Sequence, residues 1–532
     1  MSDIEKRSVP EVSVEQGPRG ILRIYKNPLT QVVLLGVVCF LSPGMFDALN
    51  GLGAGGWVDP KTSANGNAAL YATFAVGAFF SGFGLSICNK LGPRLTLLIG
   101  TTGYSLYMGS YLATYMHHDA GWFIIFAGAI LGLCAALLWT AQGSLMLAYP
   151  TESNKGMYIS VFWSILHVGA SVGASVILGQ NFHNTTNAVG KETYIGFLIL
   201  TLIAILIPMF MADPKTMYRA DGSKVTAARH PSWKAEIMGL WIALRTDPSI
   251  LMLFPMFFAS NWFYTWQFND YNGVLFNIRT RALNSFVYWT VQIPGCVAIG
   301  LLLDSRHLRR RVRAFLGWGV LLAVVFIVHI WGYLYQKDYK RPVPEEARID
   351  IHDHGYSGKA WLFAFCGLLD ATWQTYTYWM MGAMSNDPAK LAIFTGFYKS
   401  IQSVGAAVIW RADALEIPYM NIFISTWVLL VVGLIFALPM LHFRIKDHTE
   451  LADEAIARMD EDGHVHDLAT TPRVITFRVA AIPASPLTPV DVWVYSNGIP
   501  YTTVTSDVYV HALSVPAPLS FIISTSPSSS IP

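Results

Sequence analysis

A chain of 532 residues that is 53% hydrophobic and only 13% charged, with mean hydropathy +0.42, is not an ordinary soluble domain, in which about 25% of residues carry charge. Its apolar residues come in repeated blocks of roughly 20, the length that crosses a bilayer as a helix. A formal net charge of +2, with Lys and Arg set in the loops between those blocks, excludes a basic nucleic-acid-binding face and predicts an all-α polytopic membrane protein.

Residues 1–26 are polar and hold no apolar core before a small-residue cleavage site, so they read as a cytoplasmic tail without a cleaved signal peptide. Asn27-Pro28 suits a helix start, with Asn as cap and Pro at the first helical position. Six spans follow at about 29–52, 68–88, 95–115, 122–148, 157–180 and 193–212, forming an N-terminal six-helix bundle over 27–212. Six more, at about 249–270, 283–303, 312–335, 359–383, 391–411 and 418–442, form a C-terminal bundle over 249–442. Between them lies a polar linker, 213–248, with Lys215, Arg219, Lys224, Arg229, Lys234 and Arg245. Basic loops stay on the cytoplasmic side of inserted helices. The linker and both termini are therefore expected in the cytoplasm, in a plasma, vacuolar or other endomembrane. Asn184-Thr185-Thr186 is a glycosylation sequon in a loop expected outside. Residues 443–468 are acidic and predict a solvated cytoplasmic helix, with Leu451, Ile456 and Met459 on one side. Over 469–532 the composition turns to Pro, Ser, Thr and Val. The segment is expected to be disordered, without a regular element, and the break fits a read-through of the coding frame as well as a native tail.

Two stretches imitate catalytic motifs. Gly169-Ala170-Ser171-Val172-Gly173 has the spacing of a hydrolase elbow, which needs a strand-to-helix turn; inside a helical span it reads as a helix-packing seam. Gly51-Leu52-Gly53-Ala54-Gly55-Gly56 lacks the Gly-Lys-Ser/Thr of a phosphate loop and is expected to end the first span in a flexible external mouth. Cys39, Cys88, Cys134, Cys296 and Cys366 all fall in apolar segments, so neither disulfides nor a metal site is expected. With no catalytic constellation and no cofactor motif, an enzyme is not expected.

The halves echo one another. Trp163-Ser164-Ile165-Leu166-His167-Val168-Gly169-Ala170 in the fifth span matches Lys399-Ser400-Ile401-Gln402-Ser403-Val404-Gly405-Ala406 in the eleventh. A second echo joins Asn89-Lys90-Leu91-Gly92-Pro93-Arg94 to Gly300, Asp304, Arg306 and Arg309–Arg311. Two six-helix pseudo-repeats around a long cytoplasmic loop are the plan of facilitator transporters. The loop pattern resembles the major facilitator signature, with Asn89 where that family usually has Asp. The run from Ser42 to Gly53, the run from Asn261 to Asn269, and Asn386-Asp387-Pro388 resemble the fungal Unc-93-like branch of that superfamily. The resemblance covers roughly 20–450. It implies a twelve-helix facilitator fold, and either solute transport or regulation and escort of another membrane protein.

Ionisable groups inside a bilayer are unfavourable by about 2.5–3.5 kcal/mol each, so each needs a reason. Asp47, Asn50, Gln142, Asn261, Tyr264, Gln267, Asp370, Gln374, Lys399 and Gln402 are the candidate cavity or substrate residues. Spans one, four, seven and ten hold most of them. Asp370 and Lys399 lie mid-span in consecutive helices. They read either as a charge pair that binds an ionic substrate or titrates, or as a static pair joining two helices. Asp47 and Asn50 read as an outer vestibule site or a wet helix end. On a regular helix Asn261, Tyr264, Gln267 and Phe268 share a face, whose amide and aromatic groups suit an organic solute better than a bare ion. His167 is a candidate proton relay or a helix-bridging group. Asn89, Lys90, Arg94, Asp304 and Arg306 are candidates for a cytoplasmic gate. The favoured expectation is a transporter-like protein that moves a small solute, with or without a coupled proton, by alternating access. The alternative is a non-transporting regulator or trafficking partner of another membrane protein. Nucleic acid is not an expected partner; the lipid bilayer is.

Overall fold

The computed structural model describes residues 24–445 except 57, 80, 150–154, 185–187, 220–224, 226–240, 242–244, 246–247, 306 and 385–387, together with short strands between 458 and 523. The first expected span is two helices, α1 (Pro28–Leu41) and α2 (Pro43–Asn50). The Asn27 side chain accepts from Leu29 N–H at 2.9 Å, the cap its sequence predicts. The break falls where Pro43 removes a backbone donor. There follow α3 (Pro60–Phe79), α4 (Ser81–Met116), α5 (Gly121–Ala148), α6 (Lys155–Asn181) and α7 (Lys191–Leu206). Within α4 the chain leaves helical geometry at Gly92 (φ 79°), next to Pro93. That break is the loop expected at 89–94, reduced to one residue that only glycine fits without strain.

The second half holds α8 (Phe254–Ala259), α9 (Ile278–Leu303), α10 (Arg310–Gln336), α11 (Tyr356–Met384), α12 (Pro388–Ala414) and α13 (Tyr419–Phe443). Among the described residues, 7 helices are long and apolar enough to cross a membrane, and helical segments lie over each of the other expected spans. The protein is a multi-pass integral membrane protein.

The echoed sequences do the same work in each half. A Cβ added at Gly169 on α6 would come within 2.8 Å of the Phe40 backbone of α1. One added at Gly405 on α12 would come within 2.1 Å of the Phe258 carbonyl oxygen of α8. Each glycine lets two backbones approach, the small-residue packing common between membrane helices. The halves meet where α3 packs on α12 and α6 on α9; Ser400 Oγ donates to the Ala75 carbonyl at 3.1 Å.

Of the segment expected as an acidic helix, residues 446–457, 460–464 and 467–468 lie outside the described residues. Its described pieces, β1 (Arg458–Met459) and β2 (Val465–His466), pair as antiparallel strands. A separate compact unit, residues 468–532, carries β3 (Asp491–Ser496), β4 (Ile499–Thr505) and β5 (Phe521–Ile523) in the antiparallel order β4-β3-β5. No regular element is expected there from the sequence. The β-branched and aromatic run Val492-Trp493-Val494-Tyr495, opposite Thr502, Thr503 and Val504, supplies the strand preference that a search for helical period passes over.

Candidate functional site

The segment expected as one regular helix at 249–270 is built from pieces. A tight 3-10 turn (Pro248–Leu253) leads into α8, then a turn at Ser260–Trp262, then wide π-helical turns over Thr265–Gly273. Such π segments cluster at functional sites because they displace side chains from the regular helical register. The regular face expected for Asn261, Tyr264, Gln267 and Phe268 is therefore not formed. Asn261 turns to one polar cluster, whereas Tyr264 and Gln267 turn to another.

Asp370 on α11 is the hub of the second cluster and is 1% exposed. Tyr264 Oη lies 3.0 Å from each of its oxygens, and Gln292 Nε2 donates to Oδ2 at 3.1 Å. Tyr288 Oη sits between Asp370 Oδ2 at 3.2 Å and Gln267 Oε1 at 2.9 Å. With one proton, that hydroxyl donates to one of the two at a time. The buried carboxyl is thus held by neutral donors, a set that accepts it ionised or, with Tyr288 turned to Gln267, protonated.

Lys399 on α12 belongs to the other cluster. Its Nζ donates to Gln402 Oε1 at 3.0 Å and lies 5.4 Å from the Tyr398 ring, 5.6 Å from Tyr378 and 6.0 Å from Trp139. Gln402 Nε2 donates to Asn261 Oδ1 at 2.7 Å, Gln374 Nε2 to the Ser260 carbonyl at 3.0 Å, and Tyr398 Oη to Gln374 Oε1 at 2.6 Å. The expected Asp370–Lys399 pair is corrected here: no ion pair joins them. Neutral donors satisfy the carboxyl. An amide and three aromatic faces satisfy the ammonium through cation–π attraction.

The first half supplies the facing wall. Asp47 on α2 is half-buried and makes no side-chain hydrogen bond among the described residues. It is within electrostatic reach of both Asp370 and Lys399, and Tyr71 on α3 within reach of Asp47 and Asp370. Asn50 turns away, accepting from Asn67 Nδ2 at 3.3 Å, and Asn67 accepts in turn from Tyr107 at 3.1 Å. Gln142 is buried on α5 and takes no part in either cluster. The His167 ring stacks on Trp163 at 6.0 Å, and Trp163 on Trp139 at 5.9 Å. No hydrogen-bonded relay leads from it among the described residues.

At the end of the bundle bearing Gly51, the glycine run is a bonded clamp rather than the expected flexible mouth. Arg281 Nε donates to the Leu52 carbonyl at 2.7 Å, and its Nη2 contacts the Gly53 carbonyl. Asn272 Nδ2 donates to the Gly51 carbonyl at 2.8 Å, and Ala54 N–H to Asn269 Oδ1 at 2.9 Å. Gly53 has φ 74°, and a Cβ there would lie 2.2 Å from the Phe268 carbonyl oxygen. Glycine is needed because the second half's backbone occupies the side-chain space. Arg281, Asn269 and Asn272 were not among the sequence candidates. The polar run Asn269-Asp270-Tyr271-Asn272 at the end of an apolar span is the signal that points to the two asparagines.

At the opposite end, two residues of the expected latch, Arg94 and Asp304, are described. Arg94 Nη2 donates to the Met209 carbonyl at 2.6 Å, within its own half. Arg313 Nη1 does the same in the second half, to the Leu303 carbonyl at 2.7 Å. Asp304 is an exposed helix cap. Arg306 and the side chains of Asn89 and Lys90 lie outside the described residues. The Asn184 amide is engaged by the Asn181 side chain at 3.3 Å and the Ala188 carbonyl at 3.0 Å; Thr185 and Thr186 lie outside the described residues.

Two bundles joined through α3–α12 and α6–α9, with polar clusters on the helices between them, define the fold of major facilitator transporters. Among solved structures, it is similar to the xylose transporter XylE from E. coli in a partially occluded inward-open conformation (TM-score 0.53, 12% identity, 79% of this chain and 98% of that one). It is also similar to a bacterial homologue of the human lysosomal transporter Spinster, inward-facing and unoccupied (TM-score 0.52, 11% identity, 82% and 100%). Residues 55–440 match the family described as ion channel regulatory protein UNC-93, and the chain belongs to that family. It is 44% identical over 472 residues to an UNC93-like protein of Schizosaccharomyces pombe, covering 85% of this chain and 93% of that protein. It is 38% identical over 429 residues to UNC93-like protein 1 of Arabidopsis thaliana, covering 80% and 92%.

Proposed function

We propose that this protein is a secondary transporter that moves a small organic solute by rocking its two halves about the space between Asp47, Asp370 and Lys399. One observation carries the reading. Asp47, a half-buried carboxylate with no side-chain hydrogen bond among the described residues, lies within electrostatic reach of a carboxyl and an ammonium of the other half that are each held by neutral partners. Two acidic groups, one ammonium and the rings of Tyr71, Tyr264 and Trp139 suit an organic solute bearing a cationic or hydroxyl group. In this reading the helices cross the bilayer twelve times, with both termini and 213–248 in the cytoplasm. The clamped Gly51 end is then external, and the protein rests open to the inside.

A second reading, a regulator or escort of another membrane protein, is favoured by the description of the family whose model matches, ion channel regulatory protein UNC-93. Uptake by proteoliposomes decides between them, comparing wild type and Asp370→Asn with and without a proton gradient across a panel of solutes. Transport predicts uptake in the wild type that falls at least tenfold in the variant. If folded protein takes up nothing, the transport reading fails and the regulator reading takes its place.

A further inference from the structure

The charges behind the clamp do not balance. Asp270 and Asp413, whose side chains are 1% and 2% exposed, share one guanidinium: Arg341 Nη2 lies 3.3 Å from Asp270 Oδ1 and contacts Asp413 Oδ1. The other Asp413 oxygen accepts from Asn269 Nδ2 at 2.8 Å. The other Asp270 oxygen, Oδ2, is buried and has no hydrogen-bond partner among the described residues, and the two carboxyl groups, both on Arg341 Nη2, lie within electrostatic reach of one another.

The surrounding elements add no second cation to this pair. Tyr339 donates to the Asp270 backbone carbonyl at 3.0 Å, and the Tyr419 ring lies 4.1 Å from the Arg341 guanidinium. Arg348 is directed to the Gly273 carbonyl at 3.3 Å, and Arg281 to the Leu52 and Gly53 carbonyls. Lys61 and Glu416 are exposed and pair with each other at 3.9 Å. The first half contributes the Ala54 N–H, bonded to Asn269. One cation shared by two buried carboxylates leaves one negative charge in a place with little access to water. Like charges so close do not both ionise in such a place.

We propose that Asp270 and Asp413 form a proton-binding site that holds one proton at Asp270 Oδ2 and ties that proton to closure of the Gly51 end. The bound proton turns Oδ2 into the missing donor, makes the cluster neutral and lets the two carboxyls stay close. Loss of the proton to water at this end restores the repulsion. Asp413 then moves away from Asp270 and from Asn269, whose amide also holds Ala54 of the opposite half. A metal ion is the poorer occupant, since hard cations take six or more oxygen ligands and three of the four carboxylate oxygens are already engaged. The site is separate from the Asp370 and Lys399 clusters and does not depend on the transport reading.

The test uses the full chain in nanodiscs, with spin labels replacing exposed Lys61 and Glu416 on opposite halves. Raising the pH lengthens the label separation in the wild type and removes a protonated-carboxyl C=O band from its infrared spectrum. Asp270→Asn, the neutral isostere of the protonated group, lacks that band and keeps the short separation at every pH. Asp413→Asn, which leaves a one-to-one Asp270–Arg341 pair, also lacks the band and serves if the first variant does not fold. A band unchanged in both variants overturns the proposal, as does pH-dependent opening of Asp270→Asn equal to wild type. Opening driven by sodium or potassium at constant pH overturns it too, in favour of a metal ion.

Discussion

The two halves use one helix-packing device for different ends. Gly169 and Gly405 hold equivalent positions and seat equivalent helices, but the residues around them diverge. Trp163 corresponds to Lys399 and Leu166 to Gln402. In the first half, Trp163 stacks between Trp139 and His167, and Leu166 is core. In the second, Lys399 and Gln402 enter a hydrogen-bonded network with Asn261 and Gln374. The repeat thus preserves the backbone seam, which sterics dictate, and spends its variation on what faces inward. The first half offers aromatic surface and one unbonded carboxylate; the second offers a pre-organised polar array. Their loops differ in the same sense. The turn between α4 and α5 runs only from His117 to Ala120, whereas residues 337–355 between α10 and α11 fold back over the second half. There Ile349 N–H donates to the Leu275 carbonyl at 2.8 Å, and Arg279 grips Asp350 with two bonds of 2.6 Å.

The largest effect expected is at the seams. Gly405→Ala drives a methyl into the Phe258 carbonyl and should abolish monodisperse protein, read by size exclusion in detergent. Gly169→Ala, with its closest contact at 2.8 Å, should fold with a lower melting temperature, an overpacking penalty of about 1–3 kcal/mol. Equal tolerance at both sites would overturn this steric ranking of the two seams. Next is Gln402→Leu, which installs the first half's residue and removes partners from Asn261 and Lys399. A loss of about 1–2 kcal/mol, the range for interhelical hydrogen bonds in membranes, is expected in thermal unfolding, while Leu166→Ala tests packing alone.

Lys399→Met should leave stability unchanged or raise it while abolishing solute uptake. Removing a half-buried ammonium from a membrane span relieves up to about 2.5–3.5 kcal/mol of insertion penalty, more than the roughly 0.5–2 kcal/mol that cation–π contacts return. A marked fall in melting temperature would make Lys399 a structural post instead. The smallest effect belongs to the α10–α11 loop. Burial by itself raises the Asp350 pKa, but hydrogen bonds from Arg279, Asn277 and His352 N–H outweigh it and bring the carboxyl to about 2. A pKa depressed on folding contributes stability that is present above the ordinary carboxylate range near 4 and is lost as pH falls towards about 2. Melting temperature should therefore decline over that window, and less steeply in Arg279→Gln.

Period, length and charge placement determined where the helical segments lie and their order, the capped start at Asn27, the repeat and the break beside Gly92. Those are local properties: apolar runs must be helical in lipid, and Gly and Pro act on their own neighbours. The sequence also named both carboxyls and the lysine of the centre, because charge in an apolar run is visible one residue at a time. Tertiary structure alone decided their partners. Asp370 and Lys399 look like a pair along the chain, but the turn at Ser260–Trp262 leaves Asn261 with the Lys399 cluster, while Tyr264, just before the π turns, reaches Asp370. The glycine run Gly51–Gly56 reads as flexible until Arg281, Asn269 and Asn272 arrive from more than two hundred residues away to bond its carbonyls and its Ala54 N–H. Asp270, Asp413 and Arg341 come from three separate segments, and their imbalance of charge exists only once burial removes the water that would have screened it.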